Sequence, residues 1–320
     1  MKWAAGPLGR RARNGLQVLL RHSAVARRLV VPTLLRRNFD RFFDYPLDLR
    51  DPRTLSEKIQ WLKVHGRLRH VAPYVDKYEV RSFVRAVIGD DHLVPLVGIY
   101  DRAAEIPWES LPARCVIKAT HGSGWNLFMP DSARLDRAAT ARTVDGWLTR
   151  TYYDHSHEEQ YLFIRGRLLV ETMLGQAGRV PWDYKFFCYA GEPRFLTVDV
   201  DRFGRHRRKV LDLEWRTVPG LIQFPNHEGD LPRPPEFEPM VELARRLARP
   251  FPFVRVDFYV DQGRVFFGEL TFTPGSGLLT VKPHALDLWM GEGLDHTAFR
   301  QGAWRKEFPT RMAEREGLIR

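Results

Sequence analysis

The sequence predicts an α+β fold of antiparallel sheets packed with helices, on three observations. Two helical patterns with capping signals lie between residues 54 and 89; the chain turns to short β-rich runs from Arg114; and one long hairpin pattern spans 253–272. A chain of 320 residues, 44% hydrophobic and 12% aromatic, can bury the core such a fold needs, as one large domain or as two to three interlocked lobes.

The first 50 residues hold eight of the eleven net positive charges, so the basic excess belongs to this segment and not to the body. Leu16, Leu19, Leu20 and Val25 fall between arginines, which predicts a basic helix. Such a helix either packs on the body with one solvated face or lies on an anionic membrane surface. Arginines interrupt the segment, and Pro32 sits in its best apolar stretch, 29–35. It therefore reads neither as a signal peptide nor as a membrane span. Its aromatic residues are not interleaved with the basic ones, which argues against nucleic acid.

Thr54 with Glu57 forms a capping box opening a helix that carries Ile59, Trp61 and Leu62. Asp76 caps a second helix, in which Val80, Phe83, Val84, Val87 and Ile88 keep helical spacing until Gly89. Strand-like runs follow at 115–120, 127–129, 167–174, 184–190 and 194–200, with Gly122-Ser123-Gly124 and Gly191-Glu192-Pro193 as turns. Residues 202–235, rich in Arg, Pro and Gly, predict a long loop with at most short strands, and a helix over about 236–249 precedes the hairpin. There is no internal repeat or low-complexity tract. Cys115 and Cys188 lie in apolar runs and read as small core residues in a reducing compartment, since two cysteines make neither a disulfide framework nor a zinc spacing.

The hairpin sorts its residues by chemistry. If Asp261-Gln262-Gly263 is a three-residue loop, Val260 pairs with Arg264, Arg255 lies opposite Glu269, and Asp257 sits diagonally from Glu269, with Thr271 on the same face. The other face then takes Val254, Val256, Phe258, Val260, Phe266, Gly268, Leu270 and Phe272. Carboxylates about 7–8 Å apart on a diagonal can share a hard cation, and an arginine beside them can hold a phosphate bidentately. A partly exposed strand face with an Arg–Glu pair would use the same residues. Residues 273–277, Thr-Pro-Gly-Ser-Gly, add a turn suited to close backbone approach.

Lys118 lies inside an apolar strand, where it must reach water or meet an anion. His121-Gly122-Ser123-Gly124 follows and joins strand to strand, so it is neither a Walker loop nor a Rossmann turn. Glu171, Asp183 and Lys185 are further charges in apolar runs. His155, His157, Glu158 and Glu159 match no metal spacing and read as a solvated helix start.

In order, residues 55–62 (Leu-Ser-Glu-Lys-Ile-Gln-Trp-Leu), Asp76-Lys77-Tyr78 with Arg81, Val116-Ile117-Lys118 with residues 121–124, Asp183-Tyr184-Lys185-Phe186-Phe187, and the two hairpin strands resemble the ATP-grasp superfamily. The resemblance covers about 50–290 and is nearest to the TupA-like branch of teichuronopeptide and other polysaccharide biosynthesis. It implies an ATP-grasp fold with the nucleotide between two β-rich lobes. The expected division is a basic helical segment (1–50), an N-terminal α/β lobe (51–112), a middle lobe with the glycine loop (113–175) and a C-terminal lobe with the metal-binding hairpin (176–320).

By the same resemblance, Lys118 binds ATP phosphates and the loop of His121, Gly122, Ser123 and Gly124 closes over them. Glu171 and its neighbours meet the adenine and ribose at the interlobe hinge, Asp183 is a further nucleotide-binding residue, and Lys185 is a second phosphate contact. Asp257, Glu269 and Thr271 hold Mg2+, and Arg255 stabilises the transferred phosphoryl group. Many superfamily members have Asn where Thr271 stands, which leaves one or two metals open. The implied activity is an ATP- and Mg2+-dependent carboxylate–amine ligation through an acylphosphate. Its implied partners are a carboxylate-bearing glycan or lipid-linked acceptor and an amine donor, in the cytoplasm or at the inner membrane surface, without nucleic acid. A phosphotransferase, a glycosyltransferase and a basic membrane-associated adaptor are the competing classes.

Overall fold

The computed structural model describes residues 7–175, 180–202 and 204–302. Two antiparallel sheets dominate. The smaller has the order β1 (Leu96–Tyr100), β4 (Leu168–Thr172), β2 (Cys115–Ala119), β3 (Asn126–Met129). One of its faces packs Cys115, Ile117, Leu168 and Val170 against Val144 and Trp147 of the helix Arg137–Leu148. The larger has the order β10 (Arg264–Thr271), β9 (Phe253–Asp261), β5 (Asp183–Tyr189), β6 (Glu192–Val200), β7 (Arg207–Asp212). Phe186, Val256 and Phe258 of this sheet share a core with Met240, Ala244 and Leu247 of the helix Phe237–Ala248. A short pair, β8 (Leu221–Ile222) with β11 (Val281–Lys282), completes the strands.

The predicted capping box at Thr54 forms. Thr54 Oγ1 accepts from the Glu57 N–H at 3.1 Å and Glu57 accepts from the Thr54 N–H at 3.0 Å, opening the helix Leu55–His65. Asp76 does not cap the second helix as expected: its Oδ1 accepts from the N–H groups of Tyr78 and Glu79 at 2.8 and 3.1 Å in a turn ahead of it, and the helix Val80–Ile88 starts from Glu79 without a side-chain cap and ends at Gly89, φ +100°. Ile59, Leu62, Phe83 and Val84 of these helices belong to the core of the five-stranded sheet, while β1 joins the four-stranded one. The helices of segment 51–112 thus find their apolar partners in the larger core, and its strand pairs within the smaller sheet.

Other expectations change in detail. Residues 207–212, in a segment expected to be loop with at most short strands, form a six-residue edge strand, whose Arg207-Arg208-Lys209 run hid its alternation. The turn before β6 is Ala190-Gly191, both at positive φ (48° and 86°), so Glu192 and Pro193 already belong to the strand. Pro32 lies within the helix Ala24–Phe39. Both cysteines are free and buried.

The run at 155–159 is not a solvated helix start. Glu158 is buried and accepts from Thr273 Oγ1 and Gln160 Nε2, while Lys63 and Gln60 donate to the Ser276 carbonyl. His157, in the left-handed region at φ +54°, packs against Tyr153; burial and the Lys63 charge push its pKa down to about 4. Unfolded, it protonates near 6.5; folded, only near 4. Stability is therefore full above pH 6.5 and falls by about 3 kcal/mol toward pH 4. His157→Asn, which tolerates the same backbone, is expected to flatten this slope in urea titrations between pH 7 and 4.

Candidate functional site

The two sheets face each other across a cleft of about 750 Å³. On one wall, the pairing of Val116 with Glu171 and of Lys118 with Leu169 puts all four side chains on the same face of the smaller sheet. Lys118 Nζ donates to Glu171 Oε2 at 2.6 Å, and Arg81 Nη1 donates to Glu171 Oε1 at 3.0 Å. Glu171 thus holds two cations, and the lysine meets the anion that its place in an apolar strand demanded. Val94, Val116, Leu169 and Met173 give the same end of the cleft an apolar lining.

Residues 122–124 line the cleft, and the half-buried Lys77 donates from its ammonium to the Gly122 carbonyl. Burial lowers the Lys77 pKa, and the charge of Glu269 opposes that shift. Lys77 belongs to the Asp76-Lys77-Tyr78 segment, but no role followed from sequence; the signal was a lysine directly after a helix-capping aspartate. His121 is placed differently from expectation. It is 4% exposed, stacks edge-on with Trp125, and its Nε2 lies 3.2 Å from the carbonyl oxygens of Trp147 and Arg150. The carbonyls ending the helix Arg137–Leu148 draw the imidazole into the core of the small lobe, so it does not line the cleft.

The opposite wall is the polar face of the larger sheet. Its hairpin closes with a two-residue loop, Gln262-Gly263, at φ 51° and 73°, so Asp261 pairs with Arg264. A bulge at Gly268 then adds one residue. The result corrects the predicted register: Glu269 lies directly opposite Asp257, and Arg255 opposite Thr271. Toward the loop, Val265 and Phe267 pair with Val260 and Phe258 in the core, while Phe266 pairs with Tyr259, the reverse of the predicted assignment. Without the bulge, Glu269 would face the core.

Arg255 is bidentate to Asp257, Nε to Oδ1 and Nη2 to Oδ2 at 2.7 Å each, and Nη2 also donates to Glu269 Oε1 at 2.8 Å and Thr271 Oγ1 at 3.1 Å. Burial of Asp257 works against its charge, but Arg255 and Lys185 outweigh it and hold the carboxyl below its ordinary range. Lys185 Nζ stands 3.2 Å from Asp183, 3.2 Å from Asp257 and 3.7 Å from Asp199. Despite burial, the guanidinium of Arg208 keeps Asp199 at about 2, bonded in part by Nη2 to Oδ2 at 2.8 Å. Arg202 Nη1 donates to Asp183 at 2.9 Å.

Asp257, Glu269 and the Thr271 hydroxyl form a hard-oxygen donor set, with Glu269 45% exposed toward the cleft. Among the described residues, no group of three or more His, Cys, Asp or Glu side chains is placed to hold a metal. That combination fits Mg2+, which binds through one or two carboxylates and completes its shell with phosphate oxygens and water.

Asp199, Arg202, His206, Arg208 and Phe224, which line the far end of the cleft, were missed. His206 stacks on Phe224 with ring centroids 3.7 Å apart, and the Arg208 guanidinium lies over the same ring at 4.8 Å. Their only sequence signal was a dense basic run inside a segment predicted as loop.

Comparison with curated proteins gave no match. Among solved structures, the ATP-grasp ligase PsnB complexed with a minimal precursor aligns at 10% identity, over 67% of this chain and 59% of its own, with a TM-score of 0.36. The D-alanine–D-alanine ligase of Bacillus anthracis aligns at 14% identity over 65% and 64% (TM-score 0.41). The D-alanyl-alanine synthetase A of Vibrio cholerae O1 biovar eltor str. N16961 aligns at 12% over 74% and 67% (TM-score 0.42). The chain thus spans less than two thirds of the first two of these structures. The sequence model of the family described as TupA-like ATPgrasp matches residues 57–295, a span that includes both walls of the cleft, and the chain belongs to that family.

Proposed function

We propose that the chain is an ATP- and Mg2+-dependent carboxylate–amine ligase that works through an acylphosphate on a polysaccharide or other cell-envelope acceptor. The observation that carries this reading is the opposition, across one cleft, of the Lys118–Glu171–Lys77 wall and the Arg255–Asp257–Glu269 wall. One wall offers an apolar slot with ammonium groups, suited to a base and its phosphates. The other offers two carboxylates and a guanidinium where phosphoryl transfer develops charge.

In this reading Lys77 and Lys118 orient the triphosphate, and backbone groups of residues 122–124 exclude water from it. Asp257, Glu269 and Thr271 hold Mg2+, which supplies charge neutralisation on the phosphate oxygens. Arg255 releases part of its bond to Asp257 and Glu269 to take the equatorial oxygens of the transferred group. An acceptor carboxylate oxygen forms a bond to the γ-phosphorus as the bond to ADP breaks; the amine then attacks the acyl carbon, phosphate leaves and a proton is lost from nitrogen. Arg202 and the His206–Phe224 stack, at the end of the cleft past Lys185, are suited to an anionic acceptor with a flat apolar side. The polysaccharide context is what the resemblance to the TupA-like branch implies.

The test is the thermal midpoint with ATP and magnesium, ATP alone, and a sugar nucleotide with magnesium. Saturation at about 100 times Kd adds roughly 2.7 kcal/mol of stability, so a clear rise with ATP and magnesium only is expected. An equal rise with the sugar nucleotide, or none in the folded chain, overturns the reading; ADP release with phosphorylated acceptor and no amide would make it a phosphotransferase.

A further inference from the structure

The helices Pro7–His22 and Ala24–Phe39 are held to the body by one side only. Leu20, Val31, Leu35 and Phe39 are buried, Arg21 and Gln17 donate to Asp154, and Arg27 pairs with Glu159 at 3.7 Å. Ser23, extended at φ −116° and ψ 110°, breaks the helix between them and caps the second. This docking determines which residues face outward, and they are not those of a solvated face. Val18 is 52% exposed, Leu19 51%, Val25 70% and Leu29 72%, and Phe42 follows at 51%.

On the second helix, Val25, Arg28, Leu29 and Arg36 recur at i, i+3, i+4 and i+11, which is one side. Arg28, Arg36 and Arg37 are exposed. Residues 1–39 contain nine Lys or Arg and no Asp or Glu. An ordinary exposed helix face mixes charges of both signs and few large apolar groups.

We propose that this face docks on an anionic lipid surface. Val18, Leu19, Val25 and Leu29 would enter the headgroup boundary while Arg28, Arg36 and Arg37 meet lipid phosphates. No helix of the described residues is long and apolar enough to cross a membrane, so the contact is peripheral. A second copy of the chain fits less well, since the same face would set Arg28, Arg36 and Arg37 against their own copies with only the exposed C-cap Asp40 to answer them. Nucleic acid fits less well because it offers no medium for the four aliphatic side chains. The proposal does not depend on the chemistry in the cleft.

Sedimentation of the full chain with vesicles tests it. The chain is expected to bind vesicles of about one third phosphatidylglycerol, not pure phosphatidylcholine, and to lose binding as salt shortens the screening length. R28Q/R36Q/R37Q should lower the partition coefficient roughly 100-fold at low salt, at about fivefold per basic residue, and V25S/L29S roughly tenfold or more by removing apolar burial. Both variants should melt cooperatively without ligand, as the parent chain does, which shows that they fold. Equal binding to neutral vesicles, none to either, or undiminished binding by V25S/L29S overturns the proposal. So does retention on duplex DNA without vesicle binding, or a lipid-independent dimer that V25S/L29S dissolves.

Discussion

Asp257→Asn is expected to abolish the magnesium-dependent part of ATP binding and to destabilise the unliganded chain at the same time. Asp257 is 1% exposed and is the shared counter-ion of Arg255 at 2.7 Å and Lys185 at 3.2 Å. Asparagine keeps the shape and removes the charge, so two buried cations lose one common anion. Breaking a buried ion pair costs about 3–5 kcal/mol; here the lower end applies, because Arg255 retains Glu269 and Lys185 retains Asp183 and Asp199. For a chain of this size that is a fall in Tm of about 5–10 °C. Calorimetric melting without ligand reads the ion-pair loss, and melting with ATP and magnesium reads the loss of the metal ligand. A variant as stable as the parent would show that Asp257 does not carry the charge balance of the sheet. One that still responds to magnesium would remove it from the metal site.

The second large effect separates Lys118 from Glu171, although the two are bonded at 2.6 Å. Lys118→Ala leaves Glu171 with Arg81 at 3.0 Å, so stability should change by less than about 1 kcal/mol, while one cation of the cleft, proposed to meet the phosphates, is gone. A charge-assisted hydrogen bond contributes about 1.5–3 kcal/mol, so ATP affinity should fall roughly 10- to 150-fold. Glu171→Ala does the opposite to the fold. It leaves Lys118 and Arg81, 22% and 11% exposed, facing each other without their anion, and should cost about 3 kcal/mol before any ligand is added. Isothermal titration with ATP and urea unfolding of both variants give the contrast. Equal loss of stability in the two would mean that the lysine is there for the fold.

Gly268 shows why sequence periodicity stops short of the site. Alternation along 253–272 correctly separates Arg255, Asp257, Glu269 and Thr271 from the apolar residues around them, because side-chain direction along a strand is a local property. Which carboxylate opposes which is not local. A loop one residue shorter than expected shifts every pair by one, and the bulge at Gly268 shifts the last ones by one more, which restores their facing but leaves Glu269 opposite Asp257 and not Arg255. The same limit applies to β7, where a run of arginine and lysine conceals a strand whose partner, β6, explains it. Glu158 reads as solvated until the 273–277 loop and Gln160 close over it.

The sequence by itself determined the α+β class, the helix cap at Thr54, the buried free cysteines and the chemistry of the hairpin face. These follow from side-chain spacing and from backbone groups that need partners within a few residues. Only the tertiary structure decided that His121 turns into the core, that Lys77 and Arg81 join Lys118 in the cleft, and that Asp199, Arg202, His206 and Phe224 form its far end. Each of those placements depends on a residue distant in the chain, such as Glu171 for Arg81 or Trp147 for His121. Such contacts are set by the packing of whole sheets and helices, which leaves no trace in the spacing of neighbouring residues.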